Sequence, residues 1–255
     1  MTIIDTHCHL YLEEFTNDIN AVIERAQAYG VQKFYLPAIN SEETANMMGL
    51  EAKYPGVCVP MMGLHPCYVK ENYKEELAVV EEWLGKRPFV AIGEIGLDFY
   101  WDKSFIKEQY ESFNTQMQWA LNKQLPIVIH TRSAMDETIE TVKPFADKGL
   151  RGIFHCFSGN AAQAKQVIDM GFYLGIGGVI TYKNGGLAEA LADISLDNMV
   201  LETDSPYLTP VPYRGKRNES SYLQYIIEKL ADVKKMPIEE VAAITTANAQ
   251  KIFGG

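Results

Sequence analysis

The chain has 255 residues, of which 47% are hydrophobic and 22% are charged, a composition typical of globular proteins. This composition excludes a disordered or fibrous chain, and the length is normal for one α/β barrel. The formal net charge of −10 argues against a protein that binds duplex nucleic acid through a broad basic surface. This net charge does not exclude a local site for an anionic substrate, because bound divalent ions would be the largest charges there.

Short apolar runs and helical patterns alternate along the whole chain. The runs are rich in β-branched residues, which is typical of buried strands, and apolar residues at helical spacing follow each of them. Strands are predicted directly before His7 and at 32–38, 57–62, 89–93, 127–129, 152–154, 172–176 and 199–203. Helices are predicted at 13–29, 42–53, around 77–84, and at 104–123, 135–147, 161–170, 187–194 and 220–234, with a last helix starting at Pro237.

Eight strands that alternate with helices predict one closed (β/α)8 barrel, a TIM barrel, over residues 1–255. No internal repeat, low-complexity segment or linker divides the chain. The active site of such a barrel lies at the carboxyl ends of its strands. Residues directly after each predicted strand are therefore the first candidates for catalysis.

All five histidines of the chain come at the ends of predicted strands. His7 and His9 end the first strand, and side chains two apart on a strand share a face, so both can bind one metal ion. His65, His130 and His155 end the third, fifth and sixth strands. A barrel brings all these imidazoles to one edge, which favours a metal centre over separate structural histidines.

Two acidic residues complete this candidate centre, because Glu94 ends the fourth strand and Asp204 ends the eighth. The set exceeds the three protein ligands of a usual catalytic zinc site, so two divalent ions are predicted. Glu94 lies between two groups of histidines in strand order and is the predicted bridge. Asp204 can bind a metal ion or accept the proton of the attacking water, and the sequence does not separate these roles. Imidazoles and carboxylates together admit Zn²⁺, Mg²⁺ or Mn²⁺.

Other polar residues are predicted to support this centre. Glu202 shares the inward face of the eighth strand with Asp204 and is predicted to hydrogen-bond a ligand imidazole. Asp98 is predicted to cap a loop rather than to bind a metal ion. The four cysteines form no C-x-x-C pair; they are Cys8, Cys58, Cys67 and Cys156. Cys8 and Cys156 adjoin predicted ligand histidines, but neighbours on a strand point to opposite faces, so these two are expected to be buried free thiols rather than metal ligands.

Several residues are candidates for substrate contacts. His65 lies apart from the main group of predicted ligands and could contact a substrate phosphate or a metal ion. Arg132 shares a strand face with His130 and is a candidate for a phosphate contact. A cationic loop follows the eighth strand, and a solvated surface loop and a phosphate-binding loop explain it equally well. The cations of this loop are Arg214, Lys216 and Arg217.

Six motifs together resemble those of the TatD family of metal-dependent hydrolases, within the amidohydrolase superfamily. They are IDTHCHL at 4–10, GLHP at 63–66, GEIGLD at 93–98, PIVIHTR at 126–132, FHCFSG at 154–159 and ETDSPYL at 202–208. The segment RGKRNE at 214–219 is also similar to a late loop of that family. The similarity extends from residue 3 to about residue 250, and no motif position departs from the family pattern.

The resemblance implies a TIM barrel with a divalent-metal site and, as in characterised members, hydrolysis of phosphodiester bonds in DNA, often from an end. It implies one metal ion held by His7, His9, Glu94 and Asp204, and a second held by Glu94, His130 and His155. It also implies that His65 contacts the substrate or its phosphate.

The primary functional hypothesis is therefore a cytoplasmic deoxyribonuclease, dependent on two divalent metal ions and similar to a 3′-5′ exonuclease, that acts on accessible DNA ends. One alternative is a metal-dependent hydrolase of another ester or of an amide, for example an aminoacyl-tRNA ester or a cyclic amide. Another is a non-catalytic metal-binding protein, which the excess of ligands disfavours. No apolar run reaches membrane-spanning length, so no membrane association is expected. A monomer is compatible with the sequence, which leaves the oligomeric state open.

Overall fold

The computed structural model describes residues 1–254. Its eight strands are all parallel to their neighbours and follow one another in chain order. They are β1 (Ile3–Asp5), β2 (Val31–Pro37), β3 (Cys58–Met61), β4 (Ile92–Asp98), β5 (Ile127–Arg132), β6 (Gly152–Phe154), β7 (Tyr173–Ile176) and β8 (Met199–Leu201).

Helices alternate with these strands and pack around them. They are α1 (Ile19–Tyr29), α2 (Thr44–Lys53), α3 (Tyr73–Lys86), α4 (Ile106–Lys123), α5 (Met135–Ala146), α6 (Ala161–Asp169), α7 (Leu187–Leu191), α8 (Leu223–Lys234) and α9 (Ile238–Phe253). In α4, Phe113, Met117 and Ala120 recur at helical spacing and are buried, as the sequence pattern predicts. Within residues 1–254, no helix combines the length and apolar character needed to cross a membrane.

Backbone hydrogen bonds close the barrel at the two places where the sheet is interrupted. Between β3 and β4, the Gly93 N–H donates to the Met62 carbonyl at 3.0 Å. Between β8 and β1, the Thr6 N–H donates to the Leu201 carbonyl at 3.0 Å. The strands therefore form a (β/α)8 barrel, and the predicted TIM-barrel fold is confirmed.

Some element boundaries differ from the predictions. The fourth strand was expected at 89–93 but spans Ile92–Asp98, because Glu94 and Asp98 have buried polar partners inside the barrel. The first helix was expected at 13–29 but begins at Ile19, after a separate short 3-10 turn. The sequence thus predicts correctly which segments are strands and which are helices. It does not predict the end of a strand that contains buried polar residues.

The barrel exterior depends on aromatic side chains that pack between strands and helices. Phe34 on β2 is fully buried in the main hydrophobic cluster. We expect Phe34→Ala to lower the free energy of unfolding by about 3–5 kcal/mol, because it removes apolar contacts and leaves a cavity. Urea denaturation followed by circular dichroism measures this loss. Phe34→Leu serves as the control and should lose less; equal stability of Phe34→Ala and the parent would contradict this packing.

Candidate metal centre

The junction of β1 and β8 brings His7, His9 and Asp204 together. The Asp204 N–H donates to the His7 carbonyl at 2.9 Å, and the His9 N–H donates to the Ser205 carbonyl at 2.7 Å. Asp204 has a φ of 57°, a left-handed conformation that is uncommon for a residue other than glycine and is often found at functional sites. One carboxylate oxygen of Asp204, Oδ1, lies 3.7 Å from His7 Nε2 and 3.5 Å from His9 Nε2.

Glu94 lies inside the barrel on β4 and is only 2% exposed. Its N–H donates to the Ala38 carbonyl at 3.0 Å, which fixes this part of β4 to the end of β2. Glu94 Oε2 lies 3.1 Å from His7 Nε2 and 3.5 Å from His9 Nε2.

The second oxygen of Glu94 faces a different group of imidazoles. Oε1 lies 2.9 Å from His130 Nδ1, 3.3 Å from His65 Nε2 and 3.8 Å from His155 Nε2. Each carboxylate oxygen therefore faces its own set of nitrogen donors. This is the arrangement that a carboxylate bridging two metal ions requires.

All six predicted metal ligands converge at this place. Three sets of donor atoms lie within 4.8 Å of one another: His7, His9 and Glu94; Glu94, His130 and His155; and His7, His155 and Asp204. The third set links the first two, since His155 Nε2 is 3.6 Å from Asp204 Oδ1. The donors thus form one continuous centre rather than isolated clusters.

The hydrogen bonds of His9 define which of its nitrogens can bind a metal ion. Tyr11 Oη donates to the Pro37 carbonyl at 2.6 Å and lies 3.1 Å from His9 Nδ1. Because the tyrosine proton is already used, His9 Nδ1 must be the donor in that contact. In the neutral ring, Nε2 then directs a lone pair toward the carboxylates of Glu94 and Asp204. A cation among these atoms would relieve the repulsion.

Two further carboxylates contact the histidines from outside. His155 Nδ1 lies 2.9 Å from Glu202 Oε1, so Glu202 lies beside a ligand imidazole as predicted. The predicted hydrogen bond itself is not formed, because His155 Nδ1 has no hydrogen-bond partner within residues 1–254 and Glu202 Oε1 instead accepts the Cys156 N–H. His130 Nε2 lies 2.9 Å from Asp98 Oδ2. Asp98 Oδ1 also accepts the N–H groups of Tyr100 and Trp101, each at 2.9 Å. The predicted cap is therefore confirmed, and the contact with His130 is an additional role that the sequence did not indicate.

Two glycines make room for these contacts. Gly96 has a φ of 149°, and a Cβ there would lie 2.0 Å from the His130 carbonyl oxygen. A Cβ on Gly175 would lie 2.3 Å from Glu202 Oε2. Any larger side chain would displace His130 or Glu202, so both glycines are required by the geometry of the centre.

The electrostatics of the centre keep its carboxylates charged. Burial by itself raises the pKa of Glu94, but electrostatic interactions with His65, His7 and His155 outweigh it and hold this pKa well below its usual range. Burial also raises the pKa of Asp204, but the nearby histidines outweigh burial and lower this pKa. Burial lowers the pKa of His7 to about 4, which favours the neutral ring that a metal ligand needs. Burial lowers the pKa of His9, but its hydrogen bonds to Asp204 and Glu94 outweigh burial and raise this pKa to about 9. A divalent ion bound between these groups would take the place of the proton on His9.

An open cleft of about 620 Å³ lies above this centre, and Glu94, Asp204, His65 and Arg132 are among its lining residues. His65 Nδ1 accepts the Cys67 N–H at 3.0 Å. The proton of neutral His65 is therefore on Nε2, which faces the centre as a donor rather than as a metal ligand.

The other predicted substrate contacts have different surroundings. Arg132 is exposed at the mouth of the cleft. Arg214 and Lys216 are exposed but are not among the residues that line the cleft, and the Arg214 guanidinium lies 4.1 Å from the centre of the Tyr182 ring. Arg217 forms two hydrogen bonds with Asp18, at 2.8 Å and 2.7 Å, so it would have to leave this partner to bind a substrate. Substrate roles for these cations remain predictions.

The cysteines only partly follow the prediction. All four are free thiols, and Cys8 is buried as expected. The expectation of burial is wrong for Cys156, which is partly exposed, as is Cys67. These two side chains line the cleft, because they follow strand-end histidines into its wall.

The sequence patterns did not indicate the aromatic residues around the cleft as parts of the site. Tyr68, Trp101 and Tyr207 line its mouth and are exposed. Each follows a motif at the end of a strand, namely GLHP, GEIGLD and the ETD of ETDSPYL. Their position just after these motifs is the signal that could have indicated them, since strand-end loops form the active-site face of a barrel.

Comparisons with known proteins agree with this description. The family model of TatD related DNase matches residues 4–254. The chain is 39% identical to the uncharacterized metal-dependent hydrolase YabD of Bacillus subtilis, over 98% of each chain. It is 31% identical to the uncharacterized metal-dependent hydrolase YcfH of Escherichia coli, over 99% of this chain and 96% of the other. The crystal structure of the Escherichia coli TatD homologue YjjV matches with a TM-score of 0.93 and 28% identity, over 99% of this chain and 98% of the other.

The barrel, its buried cluster of imidazoles and carboxylates, and these relatives define a metal-dependent hydrolase. Within this class, the chain belongs to the TatD family.

Asp98 provides a test of how the centre is held. Carboxylates that hold ligand histidines typically contribute 10–100-fold to metal affinity. We expect Asp98→Asn to weaken zinc binding by roughly tenfold or more, because it removes the negative charge beside His130. Isothermal titration of the metal-free protein with zinc measures this change. Asp102→Asn is the matched control, because Asp102 lies in the same loop but pairs with Lys70 at 2.6 Å. Equal affinities of Asp98→Asn and the parent would contradict the supporting role.

Proposed function

We propose that this protein is a deoxyribonuclease that hydrolyses phosphodiester bonds at accessible DNA ends. The observation that carries the proposal is the division of the two Glu94 oxygens between two groups of imidazoles at the floor of an open cleft. Paired sites of this kind suit the displacement at phosphorus, in which an attacking and a leaving oxygen both need stabilisation. The matching family model, of TatD related DNase, supports the same substrate.

The residues that would hold the metal ions are the six that converge on the centre. His7, His9, Glu94 and Asp204 would form one group, and Glu94, His130 and His155 the other. Divalent ions bound there would supply Lewis acidity toward the phosphate and lower the pKa of water.

Asp204 is the better candidate for the general base. Glu94 is 2% exposed and both of its oxygens face imidazoles, so it has no free oxygen to accept a proton. Asp204 is 8% exposed and lines the cleft, where its carboxylate can receive the proton of an attacking water. This difference in exposure supports Asp204 over Glu94 as the general base, and Asp204 keeps its proposed place among the metal ligands.

His65 and Arg132 would act on the phosphate from the sides of the cleft. His65 directs its Nε2–H toward the centre and can donate it to a phosphate oxygen. Arg132 is at the cleft mouth, where its guanidinium can contact the next phosphate along the strand. Together these two donors would orient the strand over the carboxylates.

The charge of the protein and the size of the cleft support action at an end. The net charge of −10 provides little general attraction for the backbone of a long duplex. The cationic groups suited to a phosphate are local, and the cleft of about 620 Å³ has the size of a small-ligand site. A strand end can enter such a cleft, whereas the middle of a duplex is too wide.

The proposal is tested by release of nucleotides from end-labelled single-stranded and double-stranded DNA, with added Mg²⁺, Mn²⁺ or Zn²⁺. We expect Glu94→Gln and Asp204→Asn each to lower the rate by at least about a hundredfold, the lower range of a general-base contribution. A chelator should abolish cleavage by the parent. Glu239→Gln, an exposed substitution on α9 outside the cleft, is the control for loss of one charge.

The outcome that would contradict the proposal is an intact, metal-loaded parent protein that cleaves no DNA with any of these ions. Metal content measured on the same preparation makes this result decisive. A panel of carboxylic esters and cyclic amides would then identify the other bonds that the centre hydrolyses.

A further inference from the structure

The cleft mouth carries large aromatic side chains that the metal centre does not use. We call Tyr68, Trp101 and Tyr207 the aromatic rim; their exposed fractions are 40%, 66% and 50%. They lie in the segments that follow β3, β4 and β8, and all three line the cleft. Exposed aromatic side chains grouped around a polar site are a sign of ligand binding rather than of folding.

Trp101 differs from the other two residues of the rim. The Tyr68 ring lies edge-on to His65 at 6.1 Å, and the Tyr207 ring lies edge-on to His9 at 6.2 Å. These two rings therefore pack against the centre and form its walls. Trp101 makes no such ring contact with the site histidines within residues 1–254 and has the most exposed ring of the three. Its indole is the one most available to a ligand.

The backbone beneath Trp101 is fixed to the metal centre. The Trp101 N–H donates to Asp98 Oδ1 at 2.9 Å, while the other oxygen of Asp98 holds His130. The Arg132 guanidinium lies 5.0 Å from the Trp101 ring centre and 4.1 Å from the Tyr100 ring centre, a cation–π arrangement. One carboxylate thus sets both a histidine of the centre and the loop that carries the indole. The guanidinium therefore lies over one face of the indole, at a position that the loop defines.

We propose that Trp101 is the platform on which the unpaired terminal base of a polynucleotide strand stacks, beside Arg132 as a phosphate contact. This inference rests on the proposed function and names the form of the substrate. Aromatic platforms next to cationic groups bind single strands because every base offers a π-face to stack on. A base inside a duplex has both faces covered by its neighbours, so an unpaired end is the form that fits.

The test compares Trp101→Ala with Trp101→Phe on two single strands. One strand has an ordinary terminal nucleotide, and the other is identical but ends in an abasic nucleotide. We expect Trp101→Ala to lower kcat/KM on the ordinary strand by roughly tenfold, mainly through a higher KM, because stacking contributes to binding. Trp101→Phe keeps an aromatic face and should recover most of the loss. The ratio of kcat/KM between the ordinary and the abasic strand should fall by a similar factor in Trp101→Ala.

Binding provides a second readout that does not depend on turnover. The Kd of a labelled phosphorothioate strand, which resists hydrolysis, should rise roughly tenfold in Trp101→Ala when the strand carries its terminal base. Because the indole is 66% exposed, its removal should leave the thermal unfolding midpoint unchanged.

Two results would overturn this inference while leaving the proposed function in place. One is equal loss on the ordinary and the abasic strand, which would mean that the indole only shapes the loop. The other is unaltered kinetics in Trp101→Ala. Failure of the proposed function is a different result. In that case neither the parent protein nor the variants of Trp101 would cleave either strand.

Discussion

The buried carboxylate of Glu94 is the constraint on which the whole centre depends. An anion inside a barrel is costly unless opposite charge or hydrogen-bond donors surround it, and here imidazoles from the ends of four strands face its two oxygens. Those imidazoles reach Glu94 only because the barrel closes, with β4 joined to the end of β2 and β8 joined to β1. Fold and centre are therefore coupled: the hydrogen bonds that complete the barrel also position the groups that would hold the metal ions.

A second layer of contacts connects the centre to the cleft above it. Glu202 lies beside His155, and Asp98 holds His130 while it also accepts two N–H groups of the loop that carries Trp101. A change in this carboxylate would therefore affect both metal affinity and the position of the loop that carries Trp101. With a net charge of −10, the proposed action on a polyanion would depend on the bound metal ions and on Arg132 at the cleft mouth.

The sequence predicts the fold well, and the structure brings the predicted ligands together, because strands and strand-end residues are both encoded locally. A histidine or an acid that ends an apolar run is visible in a few residues, and barrel geometry then brings these positions together. Long-range pairings are not visible in this way. Arg217 appears in a cationic loop, yet its partner Asp18 is 199 residues away along the chain. The sequence pattern predicts a strand that ends before Glu94, whereas β4 includes Glu94, because its polar residues have partners on other strands. The exposure of Trp101 depends equally on which loops fold beside it.

The most direct test of the bridging role of Glu94 is anomalous X-ray diffraction from crystals of the protein loaded with Mn²⁺ or Zn²⁺. The structure predicts two anomalous peaks, one beside each oxygen of Glu94, with the first near His7 and His9 and the second near His130 and His155. In Glu94→Gln crystals prepared in the same way, at least one peak should weaken or disappear. Metal peaks remote from Glu94, or full occupancy of both sites in Glu94→Gln, would contradict a centre built around this carboxylate.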